Sequence, residues 1–409
     1  MQASEERRIA YLDNNATTPV APEVFTAMEP YLTRDFGNPS SIYKLASVTR
    51  KALDKAREQV AALIGAEPEE ILFTSCGSES DSTAILSALS KAEPQEVLVT
   101  SRVEHAAVLN LAARLREEGR GVLEIGVDPA GRLDMAEYRS ALDSGAAAVS
   151  LMWANNETGV LFPIAELAEL ARERDLPFHT DAVQAVGKVP IDVKALGVDY
   201  LAMSGHKLHA PKGVGALYIR KGASFRPFLV GGHQEAGRRG GTENVAGIVA
   251  FGAAAELARR HLDEENTRVR ALRDRLEQGL LTSCPNTRLN GDPLNRLPNT
   301  SNISFEYVEG EAILLLLDHF GIAASSGSAC TTGSLEPSHV LRAMDVPYTA
   351  AHGSIRFSLS RYNTDADVDR VLEVMPGLIE RLRSLSPFGR SGTDDMTGWQ
   401  GFCNHSDTT

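Results

Sequence analysis

The sequence predicts an α/β fold in which a mainly parallel sheet is covered by helices on both faces, with a second, smaller α/β domain after it. Three observations carry the prediction. Short apolar runs alternate with long amphipathic segments as far as Gly252. Small and polar residues follow those runs, at the carboxyl ends of the expected strands, where open α/β sheets bind ligands. Beyond Gly252 a long helical stretch leads into a region with strand and helix patterns of its own.

Taken in order, "SVTRKALDKAREQVAALI" (47–64) puts Val48, Ala52, Leu53, Ala56, Val60 and Leu63 at helical spacing, and Gly65 is placed to cap the helix. "ILFT" (71–74) reads as a strand, "SCGSES" as a turn of small residues and "DSTAILSALSKA" as a helix. "EVLVT" precedes the helical "SRVEHAAVLNLAARLREEG", and "AAAVSLMWA" precedes "NNETGVLFPIAELAELARERD". "PFHTDAVQ", "VDYLAMS" and "GVGALYI" supply further strands. In the later region "AAAELARRHLDEENTRVRALRDRLEQGLLTS" reads as one long helix. "TSNISFEY" and "SIRFSLS" read as strands, "GEAILLLLDHFG" and "ADVDRVLEVMPGLIERLRSL" as helices. The stretch 387–409 is rich in Gly, Ser, Thr and Asp without periodicity, and a disordered tail is expected there.

The bulk properties exclude several classes of function. A net charge of -13 repels phosphate backbones and anionic lipid, so no nucleic-acid or membrane partner is expected. The longest apolar stretches, such as "GAAAVSLMWA", are too short to span a bilayer, and "MQASEERRIAYLDNN" lacks the apolar core of a signal peptide. A cytoplasmic protein is expected. Four cysteines with no CxxC pair make no disulfide framework. GxGxxG after a first strand, GxxxxGK[ST] and HEXXH are all missing.

The segment "SGHKLHAPKG" (204–213) concentrates two histidines and two lysines in a short turn. It could be a solvated loop, a metal site, an anion cradle or the anchor of a carbonyl cofactor. His206 and His209 alone are a thin metal set without a nearby carboxylate or thiolate, so no metal is expected. The carbonyl-cofactor reading explains more segments at once. Pyridoxal phosphate needs an amine, an acid for its ring nitrogen, a flat group against the ring and a phosphate cup. Lys207 follows a strand and can supply the amine, and Asp181 ends "PFHTD" where it can pair with the ring nitrogen. Gln184 can donate to the ring oxygen, and "SCGSES" offers free N–H groups at a helix start, with Ser204 and His206 adding donors. Singly, each of these residues has an ordinary alternative as a solvated lysine, a turn or a cap.

Together, "TDAVQAVGK", "SGHKLHAPKGVGALY", "VEHAAVL", "NNETG", "RRGGTEN" and "SSGSACTTGSLEPSHVLRAM" resemble the cysteine desulfurases, fold-type I pyridoxal-phosphate enzymes of the class V aminotransferase superfamily. The resemblance runs from about Tyr11 to about Ser386 and is nearest to the NifS-type, nitrogen-fixation branch. It implies a seven-stranded sheet in a large cofactor-binding domain over 15–257, and a small domain made of 1–14 and 258–386. It implies that Lys207 is the Schiff-base lysine, Asp181 the pyridinium partner, Gln184 the phenolate donor and His105 the imidazole on the ring. Gly77, Ser78, Ser204 and His206 are the implied phosphate cup, joined by Thr242 from the neighbouring subunit of a homodimer. Asn156 and Arg356 are the implied binders of the substrate carboxylate, a task suited to the planar arginine fork. Ser78 stands where threonine is common in the family, and Tyr43 where many relatives have histidine.

The reaction is decided by Cys330, in the small-residue stretch "ASSGSACTTGS", which suits a surface loop better than a core. The resemblance implies that L-cysteine becomes L-alanine while Cys330 takes the sulfur as a persulfide and passes it to an iron–sulfur scaffold protein. The alternatives are a selenocysteine lyase, another class V enzyme such as an aminotransferase or kynureninase-like hydrolase, and a non-catalytic sulfur carrier. Cys76 beside the phosphate turn is expected to be structural, and Cys284 and Cys403 have no chemical context.

Overall fold

The chain is seen in a computed structural model, described for residues 8–93, 95–326 and 336–386. Cys330, Cys403 and the expected tail lie outside the described residues.

The strands are β1 (Ala10–Tyr11), β2 (Ile71–Thr74), β3 (Val97–Ser101), β4 (Gly121–Ile125), β5 (Ala146–Ser150), β6 (Phe178–Asp181), β7 (Tyr200–Ser204), β8 (Gly215–Ile219), β9 (Thr287–Asn290), β10 (Thr300–Phe305), β11 (Ile322–Ala323) and β12 (Ser354–Ser358). Seven form one sheet in the order β2-β8-β7-β6-β5-β3-β4. Only β8 runs against its neighbours; the other pairings are parallel. The fully buried apolar character of β2, β7 and β8 follows from helices covering both faces. β4 and β9 are strands that the sequence pattern did not reveal: "GVLEI" and "TRLN" are largely half-buried and lack clear alternation.

The first predicted helix spans Lys44–Ile64 and buries Thr49, Leu53, Ala56, Val60 and Ile64. Gly65 stops it in the left-handed region at φ 72°. It packs on the helix Val245–Arg260 so tightly that a Cβ on Gly252 would lie 2.6 Å from Ala56 Cα. The long helix expected beyond Gly252 is interrupted. After Arg260 comes a single turn, Leu262–Glu264, then a π-turn over Glu265–Val269, and the helix resumes at Arg270–Ser283. Buried Glu265 and the two bonds of Asn266 Nδ2, to Lys188 O and Leu262 O at 2.9 Å each, hold the wider turn.

A second, antiparallel sheet has the order β12-β10-β9, and β1 pairs in parallel with β11. Its apolar core joins Ala10 and Leu12 to Leu276, Ile303, Phe305, Ile313, Phe357 and Val371. Val340, Leu341 and Met344, although late in the chain, pack into the core of the large sheet. Among the described residues, no helix is long and apolar enough to cross a membrane.

Candidate active site

At the carboxyl ends of β5, β6 and β7 lies a cavity of about 390 Å3. Ten of the predicted site residues line it: Gly77, Ser78, His105, Asn156, Asp181, Gln184, Ser204, His206 and Lys207, and Arg356 from β12. Thr242 is exposed and lies instead in a neighbouring cleft with Arg239 and Glu243. Arg239 tethers that loop through Glu79, whose carboxylate also accepts from Ser75 N (2.7 Å) and Oγ (2.5 Å) at the head of the helix Gly77–Ala88.

Lys207 ends a 3-10 turn, Gly205–Lys207, directly after β7. Its Nζ donates to Asn15 O and Ala16 O, both at 2.6 Å. Burial first, then the positive charges of Lys188 and Arg356, push its pKa down to about 7. A lysine so placed is available as a free amine near neutrality. The two histidines of the segment 204–213 are neutral rings. His206 is pushed down to about 4, mainly by burial, so it acts as a neutral hydrogen-bonding ring, with Nδ1 3.1 Å from Thr17 Oγ1. His209, at φ 65°, is buried with Nδ1 3.0 Å from Pro19 O, and staples 18–21 beneath the lysine. No group of His, Cys, Asp or Glu able to hold a metal exists among the described residues.

Asp181 is buried at the end of β6 with Oδ1 accepting from Val183 N at 2.9 Å. Burial raises its pKa, while His105 and Lys207 oppose the rise. Such a carboxyl gains most from a cation placed beside it, as a protonated ring nitrogen would be. His105 caps the helix Ala106–Glu117, and its Nδ1 accepts from Ala107 N at 3.1 Å. That bond leaves the proton on Nε2, and burial keeps the ring neutral.

The phosphate cup is built by close packing. A Cβ on Gly77 would lie 2.8 Å from Val183 Cγ2, and one on Gly215 of β8 would lie 2.8 Å from Cys76 C. Glycine at both positions lets the helix start come down on the sheet. Ser204 Oγ is buried there without a partner, and Gly77 and Ser78 open a twelve-residue helix. An orphaned hydroxyl facing the first N–H groups of a helix fits a phosphate dianion. The residues present therefore fit pyridoxal phosphate.

Opposite, Arg356 Nη2 contacts Asp13 Oδ1 at 2.6 Å and Nη1 donates to Asn156 O at 3.0 Å, while Nε is buried without a partner. Asn155 shapes the loop by accepting from Glu157 N and Thr158 N, which leaves Asn156 on the cavity wall. Described residues on either side of 327–335 bond to residues of this wall and to their neighbours. Ser325 bridges Arg356, Ser338 Oγ donates to Glu157 Oε2 at 2.5 Å, and His339 Nε2 lies 3.0 Å from Glu104 O.

Sequence reasoning missed Asn15, Asp81 and Met152, and the cavity-lining position of Cys76. Asp81 lies one turn after Gly77 on the same helix face, a spacing that could have flagged it. It is buried, its pKa is raised by burial and by Asp181, and its orphaned Oδ1 is 3.5 Å from the equally orphaned Nε2 of His179.

The profile of the "Aminotransferase class-V" family matches residues 10–371. A cysteine desulfurase of Gluconacetobacter diazotrophicus is 62% identical over 380 residues, covering 92% of this chain and 95% of that protein. The cysteine desulfurase NifS of Azotobacter vinelandii is 60% identical, with 92% and 94% covered. A solved NifS-like protein superimposes with a TM-score of 0.86 at 36% identity, covering 92% of this chain and all of that one.

Proposed function

Since the chain belongs to the class-V aminotransferases and is, within them, a pyridoxal-phosphate-dependent cysteine desulfurase of the NifS type, we propose a division of labour among its residues. The single observation that carries it is Lys207: a half-buried amine with its pKa pushed down to about 7, in one cavity with Asp181, His105 and Arg356.

Bound at Lys207, pyridoxal phosphate supplies an electron sink for the carbon skeleton of L-cysteine. Gly77, Ser78, Ser204 and His206 would hold its phosphate, Asp181 would pair with its ring nitrogen and Gln184 would donate to its ring oxygen. His105 lies against the ring, with the proton on Nε2. Arg356 and Asn156 hold the substrate carboxylate, the guanidinium turning toward it from Asp13. Lys207 Nζ moves the α-proton. The thiolate of Cys330 attacks the substrate sulfur: an S–S bond forms as the C–S bond breaks. The electron pair of that bond leaves with carbon, which takes a proton and departs as alanine. Cys330 is left as a persulfide that hands its outer sulfur to an acceptor.

We read the acceptor as an iron–sulfur scaffold protein, in the nitrogen-fixation branch that the motifs resemble, and the setting as the cytoplasm. We take a large domain over 15–257 and a small one from 1–14 and 258–386, the latter built on the core of Ala10, Leu12, Ile303 and Phe357, although Val340, Leu341 and Met344 pack with the large sheet. A homodimer is supported by exposed Phe25, Leu32, Phe36, Ile42 and Val230, and by Thr242, which is exposed and outside its own chain's cavity.

The test incubates the purified protein with L-cysteine and a thiol reductant. Alanine and sulfide should appear in equal amounts, both should vanish in Cys330→Ala, and borohydride should fix the cofactor to Lys207. Undiminished alanine and sulfide from Cys330→Ala would remove that thiol from the mechanism.

A further inference from the structure

A second lysine lies behind the first. Lys188 is 7% exposed, at the end of the turn that follows Asp181 and Gln184. Its Nζ donates to Gln184 O at 3.1 Å and Gln184 Oε1 at 3.4 Å. An ammonium offers only donors, so it selects the flip in which the Gln184 amide oxygen faces Lys188 and the NH2 group faces away. That NH2 group donates to Asn15 O at 2.9 Å, the same carbonyl that accepts from Lys207.

The chain invests unusual backbone in this lysine. The π-turn puts two consecutive residues on it: Asn266 Nδ2 holds its carbonyl at 2.9 Å, and buried Glu265 supplies a countercharge. Lys188, Glu265 and Lys207 line one cavity of about 20 Å3, space for roughly one water. Other titratable groups around the two amines are Arg356, Asp13 and Asp181 beside Lys207, with Arg361, His261 and the neutral rings of His206 and His209 on the side of Lys188.

We propose that Lys188 is a positioning residue of this active site: its ammonium fixes the direction of the Gln184 amide and presents a second positive charge behind Lys207. The proposal rests on the reading of Lys207 and Gln184 as cofactor-holding groups. Burial brings Lys188 down to about 8, and Glu265 opposes that fall, so the ammonium persists at neutral pH. Its charge then favours the neutral amine at Lys207, the second-largest influence there after burial. A lysine that only pinned the turn would do neither.

Two variants separate charge from hydrogen bonding. Lys188→Met removes both, and Lys188→Gln removes the charge while keeping an amide donor toward Gln184. The full-length protein, freed of pyridoxal phosphate, is labelled with acetic anhydride across a pH series, and modification at Lys207 is read by peptide mass spectrometry. Both variants should move the Lys207 midpoint upward by on the order of one pH unit. Equilibrium dialysis should show Lys188→Met binding pyridoxal phosphate about tenfold more weakly, with a smaller loss in Lys188→Gln. An unmoved midpoint in both variants overturns the charge role, and parental affinity in Lys188→Met overturns the orienting role. Borohydride fixation at Lys207 in the parent protein reports on the underlying reading separately.

Discussion

Replacing Glu104 by Gln should flatten the dependence of stability on pH between about 5 and 7. Glu104 is fully buried beside His105, with Oε1 accepting from Ser101 Oγ at 2.6 Å and Met152 N at 3.0 Å. Burial raises its pKa from 4.5 to about 8. A carboxyl raised in this way contributes stability that is fully present below 4.5 and is lost as pH rises toward 8, because the unfolded chain ionises first. In that window the loss is about 1.4 kcal/mol per pH unit, or about 2.5 kcal/mol between about pH 5 and about pH 7. Gln keeps the acceptor and cannot ionise. Its amide leaves donors unpaired where Oε2 is already orphaned, but that cost does not vary with pH and cancels in the difference. Urea unfolding of parent and variant at both pH values measures it. A stability difference that is the same at both would show that Glu104 is ionised in the folded protein and sink the reasoning. The same ionisation, reached above about pH 8, would place an anion under the cavity wall at Met152 and beside the anchor of His339.

On the acid side, buried His179 is pushed down to about 3, so its stability is present above 6.5 and lost as pH falls from there toward 3. His179→Gln should reduce the parent's acid slope by about 1.4 kcal/mol per pH unit in urea titrations between about pH 6 and pH 4; parallel curves would refute it. Gly77→Ala must displace Val183 into the cavity, and equilibrium dialysis should show pyridoxal phosphate bound about tenfold more weakly, by roughly 1–2 kcal/mol. Arg356→Lys loses the two-pronged contact, so steady-state kinetics should show KM for L-cysteine rising on the order of tenfold with a smaller change in kcat. An unchanged KM would place the carboxylate elsewhere.

Much of this was legible in the sequence because the site is written at strand ends. Asp181 ends β6 and Lys207 follows β7, so periodicity alone put both near one edge of a sheet. Cys330 was singled out for the opposite reason, a thiol among small residues having no core to fill, and it lies outside the described residues. What stayed hidden depends on distant packing. Asp81 and Lys188 look like ordinary charges within a helix and a turn until the fold buries them. The π-turn cannot be read from "DEENTRV", whose pattern is that of a plain helix; only the partners of Glu265 and Asn266 explain it.

The cavity wall joins residues 13–16 to the strand of residues 354–358. Asn15 and Ala16 receive the Lys207 ammonium, while Asn14 N and Asn14 Nδ2 both bond Ser358 O and Asp13 grips Arg356. During synthesis Asp13 and Asn14 must therefore wait for these partners until the ribosome has released the strand carrying Arg356 and Ser358. Completing the Asp13–Arg356 and Asn14–Ser358 contacts becomes an event after translation, with slow closure of a very long loop as its natural bottleneck.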